Sequence, residues 1–307
     1  MFKPEEKMMR DVYIDLIIAA ARDDDRIIML DADLSKAGGT KKFGTVFPDR
    51  FINVGIAEAN MIGVAAGLAS MGKIPFTHTF TPFATRRVCD QVTLSVAYAK
   101  QKVIMAGSDP GIAAEINGGT HMSLEDVAIM RNIPGMLIVE PVDTTQLISL
   151  FPQILAHDGA VYVRLFRKNA DKIYDNGTEF TLGKGHVCRT GTDVTIVTSG
   201  LMISEAFRAG DILAGKGVSA EIINIHTIKP LDTDLILESA KKTGKVIVAE
   251  NHGIIGGLGS AVAEFLSETF PVPVKRVGVR DRFGEVGKMP YLKEIFKMRA
   301  EDIVELV

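Results

Sequence analysis

FINVGIAEANMIGVAAGLASMGKIPFTHTFTPFATRRVCDQ, residues 51–91, is the stretch from which the fold is read. Phe51-Ile52-Asn53-Val54 has the apolar, β-branched content of a short buried strand, and Gly55 breaks it. Residues 57–71 then carry Ala, Met, Ile, Val and Leu on nearly every side, so a helix buried all round is expected. One carboxylate, Glu58, stands in its first turn. Two readings of it are open. The helix dipole favours an acid there; alternatively the acid is kept inside, at a cost, to exchange a proton or a hydrogen bond with a ligand. Lys73-Ile74-Pro75-Phe76 reads as a second strand, followed by a polar, Pro-containing loop over residues 77–83. Phe80 and Phe83 in that loop either plug the core or form a flat apolar slot for a ring, with hydroxyls and an imidazole at its rim.

Outward from this stretch, short apolar runs alternate with helical ones. The runs are Ile27-Ile28-Met29-Leu30, Lys102-Val103-Ile104-Met105, Met136-Leu137-Ile138-Val139, Val194-Thr195-Ile196-Val197, Glu221-Ile222-Ile223-Asn224 and Lys245-Val246-Ile247-Val248. Such a rhythm predicts an α/β protein whose mainly parallel sheets are covered by helices on both faces. It restarts near Val194, after a stretch rich in charge, glycine and turn signals such as Asp175-Asn176-Gly177. Two domains are therefore expected, residues 1–168 and 192–307, with 169–191 as linker.

A chain of 307 residues is long enough for two such cores, and 47% apolar with 24% charged residues is the balance of a globular protein. A net charge of −3 gives no electrostatic reason to expect a nucleic-acid or membrane partner. Cys89 and Cys188 lack metal-ligand spacing and argue for a reducing compartment. With no apolar signal core at the start and no run of membrane-spanning length, a cytoplasmic protein is expected.

Asn53-Val54-Gly55-Ile56-Ala57-Glu58, then Thr79-Phe80-Thr81-Pro82-Phe83 and Cys89-Asp90-Gln91, resembles the pyrimidine-binding domain of transketolases and related thiamine diphosphate enzymes. The resemblance covers nearly the whole chain, including a smaller carboxy-terminal α/β domain. It implies that Glu58 bonds the ring nitrogen of the cofactor's aminopyrimidine and so promotes formation of the ylid. It also implies that Phe83 stacks on that ring and that Phe80 lines the same slot. Such an acid must hold a proton near neutral pH, so desolvation has to outweigh the helix terminus. Arg86 falls where transketolases have a tyrosine near the pyrimidine and is a candidate slot residue.

The substrate side is read the same way. Asp31-Ala32-Asp33-Leu34-Ser35 opens a polar loop after a strand, where open α/β sheets place ligands. The resemblance puts Lys41 in place of an arginine that holds the sugar phosphate; lysine keeps the charge and loses the bidentate fork. Asp109, Asn117 and His121 lie on a Gly-rich segment with acceptors for hydroxyls and a group titrating near neutrality. The resemblance makes His121 the residue assisting proton transfer at sugar hydroxyls. It places Asn117 where an aspartate reads hydroxyl configuration, and Asp109 where transketolases have histidine. Arg167, after the strand Val161-Tyr162-Val163-Arg164-Leu165, matches an arginine that binds substrate phosphate. In the second domain Gly256-Gly257-Leu258-Gly259-Ser260 lacks the third glycine of a dinucleotide loop and reads as a tight strand–helix turn. Residues 250–262, by resemblance, build structure and subunit contact with no catalytic role.

Binding the diphosphate of thiamine diphosphate calls for a Gly-Asp-Gly turn and a divalent ion, Mg2+ or Ca2+. The chain contains no Gly-Asp-Gly. The expected protein is therefore the pyrimidine-binding subunit of a split transketolase, completed by a separate diphosphate-binding subunit, with a heterotetramer as the expected assembly. It would move two-carbon ketol units between sugar phosphates, as in pentose phosphate metabolism. The alternatives weighed are the beta subunit of a 2-oxoacid dehydrogenase and a non-catalytic scaffold subunit. His121 and Arg167 favour sugar-phosphate chemistry over the first, and an intact Glu58 with Phe80 and Phe83 argues against the second.

Overall fold

A computed structural model describes residues 2–307. Its strands, in chain order, are β1 (Ile27–Asp31), β2 (Phe51–Asn53), β3 (Ile74–Phe80), β4 (Ile104–Ser108), β5 (Leu137–Val139), β6 (Val161–Leu165), β7 (His186–Arg189), β8 (Val194–Thr198), β9 (Ala220–Asn224), β10 (Thr227–Lys229), β11 (Val246–Gly253) and β12 (Val274–Val279). They form a seven-stranded sheet in the order β10-β5-β6-β4-β3-β1-β2 and a five-stranded sheet in the order β12-β11-β8-β9-β7. Pairings among these strands are parallel except those of β10 with β5 and β7 with β9. β1, β4, β5, β6, β8 and β9 are buried at every position. Burial on both faces is why these strands read as unbroken apolar runs.

Two strands lie across the expected partition. β7 falls within 169–191, which otherwise runs without regular structure. β10 comes from the second half of the sequence and yet pairs with β5 at the edge of the first sheet. Three local expectations also change. β2 is not a buried strand: it is the sheet's edge, and Asn53 is exposed. The helix Glu58–Ser70 is not buried all round. Glu58, Met61, Ile62, Ala65 and Ala66 face the core, while Asn60, Gly63, Gly67 and Ser70 form an outward stripe. Its uniform hydropathy hid that stripe, because small residues read as apolar wherever they point. Finally, β3 runs on through Thr77, His78 and Thr79 to Phe80, where the sequence predicts a loop. Those residues favour extended backbone once a parallel neighbour lies on each side.

One group of buried charges ties the two sheets together. Arg164, mid-strand in β6, is 1% exposed. Its Nε donates to Asp126 Oδ2 at 2.7 Å and its Nη2 to the Asn251 carbonyl of β11 at 2.6 Å; Nη1 pairs with Glu140. Tyr162 adds a hydrogen bond to Asp126 at 2.8 Å, and Ser199 of the second domain one to Glu140 at 2.6 Å. Beside this group Glu250 is fully buried, and burial pushes its carboxyl up to about 7. Glu250 Oε1 accepts the N–H of Gly259 at 3.1 Å, so the helix start that a phosphate would need is already capped from within. The Gly256–Gly257 turn is thus a strand–helix connection.

Arg164→Met leaves Asp126 and Glu140 buried without their cation, and chemical denaturation of this variant will read a loss of about 3–5 kcal/mol. Between the ordinary carboxyl range and about 7, folded Glu250 holds a proton that the unfolded chain has released, so its contribution to stability falls as pH rises through that window. Urea midpoints measured at successive pH values across that window will drift less in Glu250→Gln than in the parent chain.

Candidate active site

β3, β4 and β6 end side by side. Phe80 pairs with Ser108, and Ser108 with Leu165. Phe80, Asp109 and Arg167 therefore emerge along one rim at the carboxyl edge of the first sheet, the usual ligand position in open α/β sheets. Pro82 lies in the first turn of the short helix Thr81–Ala84, where a missing N–H costs nothing. That turn brings Phe83 back beside Phe80, ring centres 6.4 Å apart. His121 stands edge-on to both rings, 5.8 Å from Phe80 and 5.2 Å from Phe83. Its Nδ1 shares a hydrogen with the Thr120 hydroxyl at 2.9 Å, which leaves Nε2 for a ligand.

Glu58 closes the other side. It is 3% exposed at the head of its helix. A residue not foreseen from the sequence meets it: Arg87 Nη1 donates to Glu58 Oε1 at 2.8 Å. The same guanidinium lies 3.7 Å from the centre of the Phe83 ring. A flat group bearing N–H donors is thus stacked on Phe83 and hydrogen-bonded to Glu58. An aminopyrimidine would make those two contacts, and on this test the residues present fit such a ring.

Arg86 is not in the slot. Its Nη1 bonds Glu125 at 2.9 Å, and its side chain is half exposed. Tandem arginines give no sequence signal for which one turns inward; the 3₁₀ turn Arg86–Val88 decides it.

At the rim, Arg167 Nη2 pairs with Asp109 Oδ2 at 2.7 Å, and its guanidinium carbon lies 5.3 Å from the Phe80 ring centre. Burial pushes the Asp109 carboxyl up, while the Arg167 guanidinium pulls it the other way. The loop after β1 is folded around Asp31, which accepts the Leu34 N–H at 2.6 Å and the Thr40 hydroxyl at 2.7 Å. The Ala37 carbonyl of this loop reaches Arg167 Nη1 at 3.4 Å. Lys41 follows directly and is exposed, as is Asn117 on its own loop. The fold therefore gathers Glu58, Phe80, Phe83, His121, Asp109 and Arg167, and leaves Lys41 and Asn117 at the surface. The imidazole expected at the rim of the slot is His78, and the structure does not place it there: lying within β3 it is turned inward, 1% exposed, with its Nδ1 3.7 Å from Asp31 Oδ2.

Residues 5–172 match the family described as "Transketolase, pyrimidine binding domain", and residues 183–303 that described as "Transketolase, C-terminal domain". The chain is 62% identical over 302 residues to a 6-deoxy-6-sulfo-D-fructose transketolase subunit of Clostridium sp. (strain MSTE9), covering 98% of this chain and 94% of that one. It is 37% identical to an apulose-4-phosphate transketolase subunit of Phocaeicola vulgatus, covering 89% of this chain and 87% of that one. A solved structure described as a split gene transketolase, inactive beta4 tetramer, superposes with a TM-score of 0.88. It is 40% identical, with 97% of this chain and 96% of that one covered.

Proposed function

We propose, from the premise that this chain belongs to the transketolase family and is a split-transketolase subunit, that it works with a separate diphosphate-binding subunit. In that complex it carries two-carbon ketol transfer from a ketose with an anionic far end. The observation that carries this reading is the planar N–H group stacked on Phe83 and bonded to buried Glu58. Thiamine diphosphate, when bound, supplies the carbanion that takes up the two-carbon unit. The residues of this chain do the rest. Glu58, shut off from water, presents its carboxyl to a ring nitrogen and holds a proton there. Phe83 gives the ring a face to lie on. Arg87 gives way when a ring takes its place; its side chain is 44% exposed and has solvent to turn into. His121, through Nε2, is placed to pass a proton at a ketose hydroxyl while its Nδ1 is held by Thr120.

The anion subsite supports a sulfonate as the donor's far end. Arg167 is already paired with Asp109, and Lys41, which stands where the family has a bidentate arginine, is left at the surface. A sulfonate carries one negative charge, against nearly two on a phosphate monoester near neutral pH. This weak cation set suits the smaller charge. The sulfonated hexulose named for the Clostridium relative has the matching chemistry. Breaking its C2–C3 bond passes two carbons on and leaves a four-carbon aldose that keeps the sulfonate. The diphosphate and its divalent ion, Mg2+ or Ca2+, fall to the partner, with a heterotetramer as the working assembly. The description of the solved relative as an inactive tetramer of beta chains supports dependence on a partner.

The test is reconstitution. Purified alone, the chain will show no ketol transfer; mixed with its diphosphate-binding partner it will transfer from 6-deoxy-6-sulfofructose with a higher kcat/KM than from fructose 6-phosphate. Glu58→Ala will cut turnover of the pair by about 10²–10⁴-fold. Full activity without a partner, or a Glu58→Ala pair turning over as fast as the parent, would refute the proposal.

A further inference from the structure

We infer that the carboxy-terminal domain is the template on which the loop between Asp109 and His121 takes its shape, with Asn251 as the positioning residue. Asn251, on β11, is 1% exposed. Its Nδ2 donates to the Pro110 carbonyl at 2.9 Å and its Oδ1 accepts the Ile112 N–H at 2.9 Å. The side-chain amide thus satisfies one acceptor and one donor on either side of Gly111. At Gly111 the backbone takes a φ of +54°, and a Cβ there would lie 2.2 Å from Asn251 Oδ1. Glycine alone fits beneath this amide.

The same domain follows the loop along its length. Met289 N–H donates to Glu115 Oε1 at 2.9 Å. A Cβ on Gly119 would lie 2.4 Å from the Gly284 carbonyl oxygen. The Gly253 N–H donates to the Leu124 carbonyl at 2.8 Å. Between these anchors Ile116 and Asn117 are exposed. The first domain holds the loop through Lys168 on Glu115 and through the Ser123 carbonyl on the Gly111 N–H, and the remaining anchors come from a domain that contributes no side chain to the slot. Asn251 is itself fixed, because Arg164 Nη2 holds its carbonyl at 2.6 Å. The hydrogen bonds of Asn251 go to the loop and to Arg164, and none goes to Glu58 or the Phe80–Phe83 slot. It acts through Asp109, one residue before Pro110, and through His121 at the far end. Residues 250–262 thus do more than build structure: they set the substrate side of the site while leaving the cofactor side alone.

The kinetic consequence rests on the ketol-transfer reading above; the structural claim does not. Hydrogen exchange on the full-length chain will show the Ile112 amide and residues 111–121 losing protection in Asn251→Ala. In the reconstituted pair, kcat/KM for the donor ketose will fall by about ten-fold or more, since small displacements of a catalytic group are costly. Affinity for thiamine diphosphate, which depends on Glu58 and Phe83, will stay within about two-fold, below what one lost hydrogen bond to that ring would cost. Gly111→Ala reaches the same contact from the loop side and will give the same selective loss. Unchanged protection and kcat/KM would overturn the inference. So would parallel loss of cofactor affinity and kcat/KM in both variants, because the contact would then only hold the fold. If the unaltered pair transfers no ketol unit, the proposed reaction fails and exchange at Ile112 alone decides the template.

Discussion

A guanidinium inside the protein is tolerable only when each of its charges and donors is met, and Arg164 meets that condition with groups from both domains. Asp126 and Glu140 neutralise it, and the Asn251 carbonyl takes the remaining donor. Removing any of them would strand charge in a medium that cannot screen it. The two sheets are therefore locked at one relative position, and the carboxyl edge of the first sheet is built against a fixed wall. The rim carrying Phe80, Asp109 and Arg167 inherits its geometry from that lock.

Much of this is legible in the sequence, for identifiable reasons. Both sheets can be read because parallel strands buried on two faces spell themselves as apolar runs. Phe80 and Phe83 draw notice as aromatics beside a proline near a strand end, but it is the resemblance to transketolases that gives them and His121 their roles. Other features are hidden. Arg164 looks like one more residue in an alternating strand, since nothing local says that Asp126 and Glu140, distant in sequence, converge on it. Arg87 cannot be told from Arg86, as a single step of a tight turn exchanges their directions. Asn251 sits inside a motif whose glycines draw attention to a phosphate cradle, while its partners lie some way back along the chain. Long-range pairing, invisible to spacing rules, is the common element.

Charge is arranged in the slot by a repeated device. Arg87 and Arg167 are each matched by a buried acid, Glu58 and Asp109, and each lies against a phenylalanine face. Cation, acid and ring recur at both ends of one groove. Such a groove presents little net charge to an arriving ligand, so selection rests on geometry and on hydrogen bonds that must be exchanged one for another. A ligand that cannot replace the guanidinium on Glu58 would leave a buried acid unsatisfied, which is a penalty in itself.

β10 is a strand of the second half sewn onto the first sheet. Without it, Leu137, Ile138 and Val139 would present a bare hydrogen-bonding edge flanked by apolar side chains, an invitation to intermolecular pairing. A fragment cut between the domains would thus be sticky where the whole chain is not. The visible boundary between two sheets is a seam in the architecture, and it is a poor place for scissors.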